Sequence, residues 1–343
     1  VSEQSALRRA LEVVAGGAEA PGELLAAAFG EIMDGEASAA AMAALLAALR
    51  TRGETVAELA AVARALRARA ETAPLRDPRT LDTCGTGGDG AGTFNISTIA
   101  AFAVAGAGVP VAKHGNRAAS SRCGSADLLE ALGVAVDLPV AASARVLEEV
   151  GIGFFFARRA HPAMRHVAEV RQQLGIRTLM NCMGPLLNPV GAKLQLVGVY
   201  DGALVQPIAK VLGQLGSQRA LVVHGGDGLD EITTATTTHA ALLSDGAVRG
   251  MELDPARWGV ARPAPGALAG GDAAQNAAIA KAVLANEAGA ARDIVLVNAG
   301  AALFIAGAAP DIEAGMEQAA QSLASGAARA KLEALVAATQ ANP

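Results

Sequence analysis

Residues 81–125 read LDTCGTGGDGAGTFNISTIAAFAVAGAGVPVAKHGNRAASSRCGS, and this stretch decides the fold. It opens with five glycines between Gly85 and Gly92 and continues through the polar step Asn95-Ile96-Ser97-Thr98. A helical stretch, Thr98 to Gly106, leads to an apolar β-type run, Val109 to Ala112, and then to Lys113-His114-Gly115-Asn116-Arg117. No Asp or Glu occurs from Gly90 through Ala126, whereas Lys113, Arg117 and Arg122 are present. Exposed backbone N–H groups, hydroxyls and cations in one segment suit an anion with several oxygens, and phosphate is the leading candidate. Loop, helix, buried strand and polar strand end are the pieces of an open α/β sheet, whose ligands bind outside the carboxyl ends of its strands.

Outward from this stretch the pattern differs on its two sides. Residues 1 to 73 read only as helices. Ser2 is placed to cap the first, with Leu7, Leu11 and Val14 at helical spacing before Gly16-Gly17. Pro21 opens a second, Ser38 precedes a third, and Thr55-Val-Ala-Glu58 is a capping box for a fourth. Pro74 and the polar run Arg76 to Thr80 make a linker. Beyond Thr80, β-type runs (Gly153–Phe156, Leu194–Tyr200, Ala220–His224) alternate with helical ones (Ala126–Leu132, Val140–Val150, Val205–Leu215). Ala241–Leu243, before Asp245-Gly246, adds a short strand, and helices return at Ala273–Ala288, Ala291–Ala306 and Asp311–Ser325. The fold class expected is α/β, with a small helical N-terminal domain and a larger domain around a mostly parallel central sheet.

Composition narrows the function. The 343 residues are 52% hydrophobic but only 3% aromatic, so the core must be built from Ala, Leu and Val. A net charge of −5 argues against a general nucleic-acid surface and makes the basic segment a local feature. Three widely spaced cysteines, Cys84, Cys123 and Cys182, suggest neither a disulfide framework nor a zinc site. Glu3, Arg8 and Arg9 interrupt any signal-like apolar run, and Ile99–Ala112 is too short to span a bilayer. The expectation is a cytoplasmic protein with no membrane or nucleic-acid partner.

Gly85-Thr-Gly-Gly-Asp-Gly90 satisfies the dinucleotide pattern GxGxxG, but Ala91-Gly92-Thr93 prolongs the loop and the next acid after Asp89 is Asp127. A helix opening at the loop and an acid about 20 residues on are both missing, so a Rossmann site is set aside. Asn95, Ser97 and Thr98 instead stand where a helix begins, with its orphan amides and dipole; Asn95 suits capping and ligand contact equally. Lys113 follows a strand, as does His224-Gly-Gly-Asp-Gly-Leu-Asp230-Glu231. Two adjacent carboxylates in a glycine-rich loop near a phosphate site suit Mg²⁺ rather than zinc.

Together these pieces resemble the anthranilate phosphoribosyltransferase family of tryptophan biosynthesis. Asp82-Thr-Cys-Gly-Thr-Gly-Gly-Asp89, Asn95-Ile-Ser-Thr98, Lys113-His-Gly-Asn-Arg117, Ser120-Ser121 and Gly124-Ser125-Ala-Asp127 carry the likeness, followed by His161-Pro-Ala-Met164, Val170-Arg171, Leu174-Gly-Ile-Arg-Thr178, Gly184-Pro185, Asn188-Pro189 and His224 to Glu231. The resemblance implies that Gly85, Gly88, Asp89 and Thr93 contact phosphoribosyl diphosphate, with Asn95, Ile96, Ser97 and Thr98 holding its diphosphate. Lys113, His114, Gly115, Asn116, Arg117, Ala118, Ala119, Ser120, Ser121 and Ser125 would line the same substrate. Ser97, Asp230 and Glu231 would bind Mg²⁺, while Asn116, Arg171 and the Gly85 backbone would receive anthranilate. It further implies a fold of the nucleoside phosphorylase and phosphoribosyltransferase type, with residues 1–73 and a returning piece, 165–187, forming the helical domain. Residues 76–164 and 188–343 would form the α/β domain, and the helical part would make a homodimer. One departure stands out: Ala157-Arg158-Arg159 replaces the family's Ala-Pro step before His161, which would reshape the hinge and add charge near the aromatic acid. Cys84, with no partner base in sequence, reads as a small neutral filler.

The activity implied is transfer of 5-phosphoribose to the amine of anthranilate with release of diphosphate, and no general base is assigned. A pyrimidine nucleoside phosphorylase shares the fold, but Asp230-Glu231, Arg171 and the hydroxyl–cation segment favour a diphosphate donor and an aromatic acid. A non-catalytic nucleic-acid-binding relative fits poorly with complete donor motifs and a charge of −5.

Overall fold

The computed structural model describes residues 5–118 and 122–341. Its first part is a bundle of α1 (Ala6–Ala15), α2 (Gly22–Asp34), α3 (Ala39–Arg52) and α4 (Val56–Arg67). The cap of α1 is Ser5, whose Oγ accepts from the Arg8 N–H at 3.3 Å, rather than Ser2, which lies outside the described residues. Pro21 and Ser38 precede α2 and α3 as expected, and both bonds of the Thr55–Glu58 capping box form. Glu58 does more than cap. It is fully buried, accepts the Ala20 N–H at 3.0 Å and pairs with Arg52, so one carboxylate ties the entry of α2 and the end of α3 to α4. Burial pushes its pKa up, and the hydrogen bonds from Arg52, Thr55 and Ala20 more than reverse that.

The second part alternates: β1 (Leu81–Asp82), α5 (Ile96–Gly106), β2 (Val111–Gly115), α6 (Ser125–Ala131), α7 (Val140–Val150), β3 (Ile152–Phe156), the single turn α8 (Ala157–Ala160) and α9 (Arg165–Leu174). Then come β4 (Leu194–Gly198), α10 (Val205–Gln214), β5 (Arg219–Gly225), β6 (Thr238–Ser244) and β7 (Ala247–Leu253). The tail is α11 (Ala273–Leu284), α12 (Ala290–Ile305), α13 (Ile312–Ala324) and α14 (Ala327–Gln340). Among the described residues these strands form one seven-stranded sheet in the order β3-β2-β1-β4-β5-β6-β7. The first five pair in parallel; β6 and β7 pair antiparallel around the Asp245-Gly246 turn, both residues at positive φ.

Several strand assignments differ from the sequence reading: β1 was not expected, and β6 runs beyond Ala241–Leu243 at both ends. β2 begins at Val111, because Pro110 has no N–H for a ladder, and it runs on in register from Val111↔Ile152 to Gly115↔Phe156. Lys113 and His114 are therefore inside the strand, not after it. β7 was not expected; it is an edge strand whose residues are mostly exposed.

Each face of the sheet carries its own core. On one side α5, buried along nearly its whole length, packs against α12, α13 and α14. On the other, α10 lies over β5 and β6 and continues into the bundle through α4. Arg67 stitches the two parts, donating to the Leu186 and Leu215 carbonyls at 2.6 and 3.2 Å. α9 packs against α2 and α3, with Val167 and Val170 in the bundle's core. No helix among the described residues is long and apolar enough to cross a membrane.

Candidate active site

The carboxyl ends of β1, β4 and β5 converge on one junction. The loop after β1 crosses the end of β4, where Thr86 N–H donates to the Gly198 carbonyl at 2.9 Å. The loop after β5 folds over the same point, and the Gly87 N–H donates to Asp230 Oδ2 at 2.7 Å. Gly198 makes this possible: a Cβ there would overlap the Asp230 carbonyl oxygen. Sequence reasoning passed over Gly198; its signal was a glycine closing the apolar run Leu194–Val197 at a strand's carboxyl end. Gly85 is similarly confined, with Asp230 Oδ2 3.1 Å from where its Cβ would stand. Asp89 accepts from the Asp230 N–H at 3.4 Å. Thr93 bridges to Ala269, and Gly270 N–H donates to the Gly92 carbonyl at 2.9 Å, which seats the far side of the loop.

At the start of α5, Asn95 holds the N-cap position but its side chain caps nothing. Its Nδ2 donates to the Cys123 carbonyl at 3.0 Å and its Oδ1 accepts from Asn276 Nδ2 at 2.9 Å. Ile96 and Thr98 are buried beneath the helix, which leaves only their backbone groups to offer. The Ser97 N–H donates to Glu231 Oε1 at 3.1 Å, so an acid of the protein already sits on the helix's positive end.

Lys113 is also turned inward. It is 4% exposed, and its Nζ donates to Thr83 O and Oγ1 at 3.0 and 3.2 Å and lies 3.5 Å from Ser97 Oγ. From there its charge favours ionisation of both Asp82 and Glu231. His114 is buried beneath the site: its N–H donates to Asp82 Oδ1 at 3.2 Å, its Nδ1 lies 3.0 Å from the Gly184 carbonyl, and its ring packs edge-on to His161, centroids 5.2 Å apart. Burial, then the His161 charge, lowers the His114 pKa to about 3, and burial lowers that of His161 to about 4; both rings are neutral. Burial raises Asp82 to about 6.

Beyond β2 the expectation of free cations is corrected. Arg117 pairs with Glu130 and Asp127, and those partners hold its pKa well above the ordinary value. Asp127 also accepts the Ala118 and Gly124 N–H groups at 2.9 Å each. Ser125 Oγ donates to the Asn116 carbonyl at 3.2 Å, and Gly115 has no room for a Cβ against Ser125 and Phe154. Ala119, Ser120 and Ser121 lie outside the described residues. Arg159 is paired with Asp137 at 2.7 Å, so it adds no free charge near an aromatic acid, while Arg158 lies over the Phe156 ring at 6.0 Å. Cys84 is buried and its thiol pKa is raised by that burial, as a filler requires.

Two features call for ligands. Asp230 and Glu231 are both pushed up chiefly by burial, then by a neighbouring acid: Asp89 for Asp230, Asp230 for Glu231. Two half-buried acids with one ammonium near them suit a divalent cation. Among the described residues no group of three or more His, Cys, Asp or Glu is arranged to hold a metal alone. Mg²⁺ would therefore take its remaining ligands from water and substrate oxygens, as that ion commonly does. Arg171, on α9, is half-buried with no acidic partner among the described residues, and burial lowers its pKa. An unpaired guanidinium there suits an incoming carboxylate.

Comparison with known proteins agrees with this geometry. The Glycosyl transferase family a/b domain matches residues 77–329 and the family's helical bundle domain matches residues 9–70. An anthranilate phosphoribosyltransferase of Rubrobacter xylanophilus is 53% identical over 332 residues, 96% of each chain. The crystal structure of the Thermus thermophilus anthranilate phosphoribosyltransferase superposes with a TM-score of 0.92 at 43% identity, covering 98% of this chain and 100% of that one. The Saccharomyces cerevisiae enzyme in complex with PRPP and Mg has a TM-score of 0.90 at 26% identity, covering 99% of each chain. Fold, strand-end junction and full-length similarity agree: the chain belongs to the anthranilate phosphoribosyltransferase family.

Proposed function

We propose that this chain transfers the 5-phosphoribosyl group of phosphoribosyl diphosphate to the amine of anthranilate, releasing diphosphate and giving N-(5-phosphoribosyl)anthranilate. The observation that carries the reading is the junction where the glycine loop seats on Asp230 while Glu231 seats on the first turn of α5. Anthranilate's amine is neutral at pH 7 and nucleophilic unaided, so the reaction needs no covalent intermediate and no general base is assigned. Departure of diphosphate builds positive charge on the ribose and negative charge on the leaving group.

The residues of the chain divide that work. Gly85, Gly88, Asp89 and Thr93 contact the donor, with the backbone of Asn95, Ile96, Ser97 and Thr98 meeting its diphosphate. Asn116 and Ser125, with the neighbouring Gly115, Arg117, Ala118, Ala119, Ser120 and Ser121, line the donor side. Lys113 and His114 support it from beneath: one neutralises buried acids, the other fixes Asp82. Ser97, Asp230 and Glu231 hold Mg²⁺, which when bound supplies positive charge to the departing diphosphate. Arg171 receives the anthranilate carboxylate, with Asn116 and the Gly85 backbone beside it, and brings the amine to the anomeric carbon.

Residues 1–73 with 165–187 act as one unit and residues 76–164 with 188–343 as the other, a division supported by α9 packing on α2 and α3. Pairing of two copies through the helical unit completes the proposal, and solution mass by light scattering tests it. The activity itself is tested by mixing the protein with anthranilate, phosphoribosyl diphosphate and Mg²⁺ and following the fluorescence difference between anthranilate and its product. No product at any substrate concentration would refute the reading.

A further inference from the structure

We propose that Arg177 is a positioning residue: by pinning the Gly88 carbonyl it turns the Gly88–Asp89 peptide so that the Asp89 N–H faces the phosphoribosyl donor. This rests on the reaction proposed above. Arg177 lies just past α9, six positions after Arg171. Its guanidinium donates to the Gly88 carbonyl and lies over the Tyr200 ring, 4.4 Å from the centroid. A guanidinium can stack by its face and donate from its edge at once; an ammonium cannot.

The platform beneath it is held from two sides. Tyr200 N–H donates to Thr86 Oγ1 at 3.0 Å, on the glycine loop, and the Tyr200 hydroxyl lies 3.6 Å from Cys182 Sγ, on the segment that carries Arg177. The rest of the loop is tied down at Thr86, Asp89, Gly92 and Thr93, but the Gly88 position itself is not packed. Gly88 stands at φ 75°, and among the described residues no atom beyond its own chain neighbours lies within 4 Å of where its Cβ would be. Packing therefore does not set the peptide's orientation; hydrogen bonds do. Gly87 is tied to Asp230 on one side and Gly88 to Arg177 on the other. The peptide is trans and planar, so its C=O and N–H point in opposite directions. With the carbonyl turned to Arg177, the Asp89 N–H is turned away from it, and it finds no acceptor among the described residues. Such an aimed, unpaired amide is what an incoming phosphate oxygen requires. The same link joins the segment of Arg171 to the donor loop, so the acceptor side helps shape the donor side.

The test compares Arg177→Ala, Arg177→Lys, Tyr200→Leu and Arg177→Ala/Tyr200→Leu. It reads KM for each substrate, the donor Kd by calorimetric titration in Mg²⁺, and the melting temperature. Arg177 is exposed, so Arg177→Ala should melt like the parent. Its donor KM and Kd should rise about tenfold, the scale of one charged hydrogen bond, with the anthranilate KM within about twofold. Arg177→Lys should recover less than half of the loss. Tyr200→Leu, which removes the platform but keeps the charge, should weaken the donor too, and the double variant should be no worse than the weaker single. Unchanged donor KM and Kd in Arg177→Ala would overturn the proposal. So would a silent Tyr200→Leu beside a defective Arg177→Ala, since the guanidinium would then act on the donor directly. Donor binding by the parent without product formation would sink the proposed reaction instead, and the titrations would still decide the role of Arg177.

Discussion

Lys113 shows how a residue of the proposed donor site can act from beneath it. Its ammonium is buried against Thr83 and Ser97, and from there it offsets Asp82 and Glu231. Asp230 and Glu231 remain under-neutralised, which makes them the residues most dependent on a cation. Asp230→Asn with Glu231→Gln should leave a folded protein with turnover nearly abolished; full activity at limiting Mg²⁺ would remove the pair from the mechanism. In the proposed reaction Arg171 belongs to the other substrate. Arg171→Ala should raise the anthranilate KM by about 10–100-fold, the scale of a lost charge-assisted pair, and the donor KM far less. A change in donor KM alone would place Arg171 on the phosphate side. Lys113, Asp230 and Glu231 were legible as polar groups after an apolar run, whereas Arg171 was named by the family resemblance alone. Spacing along a chain could not place the side chains of Lys113 and Arg117: it cannot say that the lysine turns inward to Thr83 and Ser97 or that Asp127 and Glu130 have already claimed the arginine.

In the proposed reaction the glycine loop is the element on which donor binding turns. Gly88 has room for a Cβ but the wrong backbone angle for one: at φ 75° an alanine carries about 1–2 kcal/mol of left-handed strain. The loop would relieve it by rotating away from its present shape. Gly88→Ala should therefore weaken donor binding about tenfold with little change in melting temperature or in anthranilate binding. Unchanged affinity by calorimetry would reduce these glycines to a turn. Other elements were legible to different degrees. α7 spans the residues expected of it, and the Thr55–Glu58 box formed, because caps and amphipathic spacing are local signals. β1 has two residues and β7 has an exposed face, so neither shows an apolar run or a clean alternation; they are strands because neighbours supply the ladder. α14 went unread because its alanine-rich sequence follows directly on α13 with only Ser325-Gly326 between.

Across the whole molecule, the buried imidazoles at the carboxyl edge of the sheet make stability depend on pH. As pH falls through 6.5 the unfolded chain protonates both histidines, while the folded rings stay neutral down to about 3 for His114 and about 4 for His161. The contribution is present above pH 6.5 and is lost on acidification, up to about 3 kcal/mol for His161. Asp82, raised to about 6, acts in the opposite sense, so a single melting curve would mix the two. The difference between the parent and His161→Gln isolates the histidine: the parent's advantage in melting temperature should shrink between pH 7 and pH 4.5, and parallel curves would contradict the assignment. The order of the chain imposes one more condition. α5 is complete by residue 106, yet the helices that cover it, α12, α13 and α14, begin at residue 290, and Gly106 meets Ser322 and Ala328 too closely for any side chain. Synthesis runs from the amino end, so for most of the time on the ribosome the most apolar helix of the sheet domain has no cover of its own. The nascent chain must shelter that surface until its last fifty residues emerge, and a ribosome that stops short of α12 releases a chain whose α5 has lost all three of those covering helices.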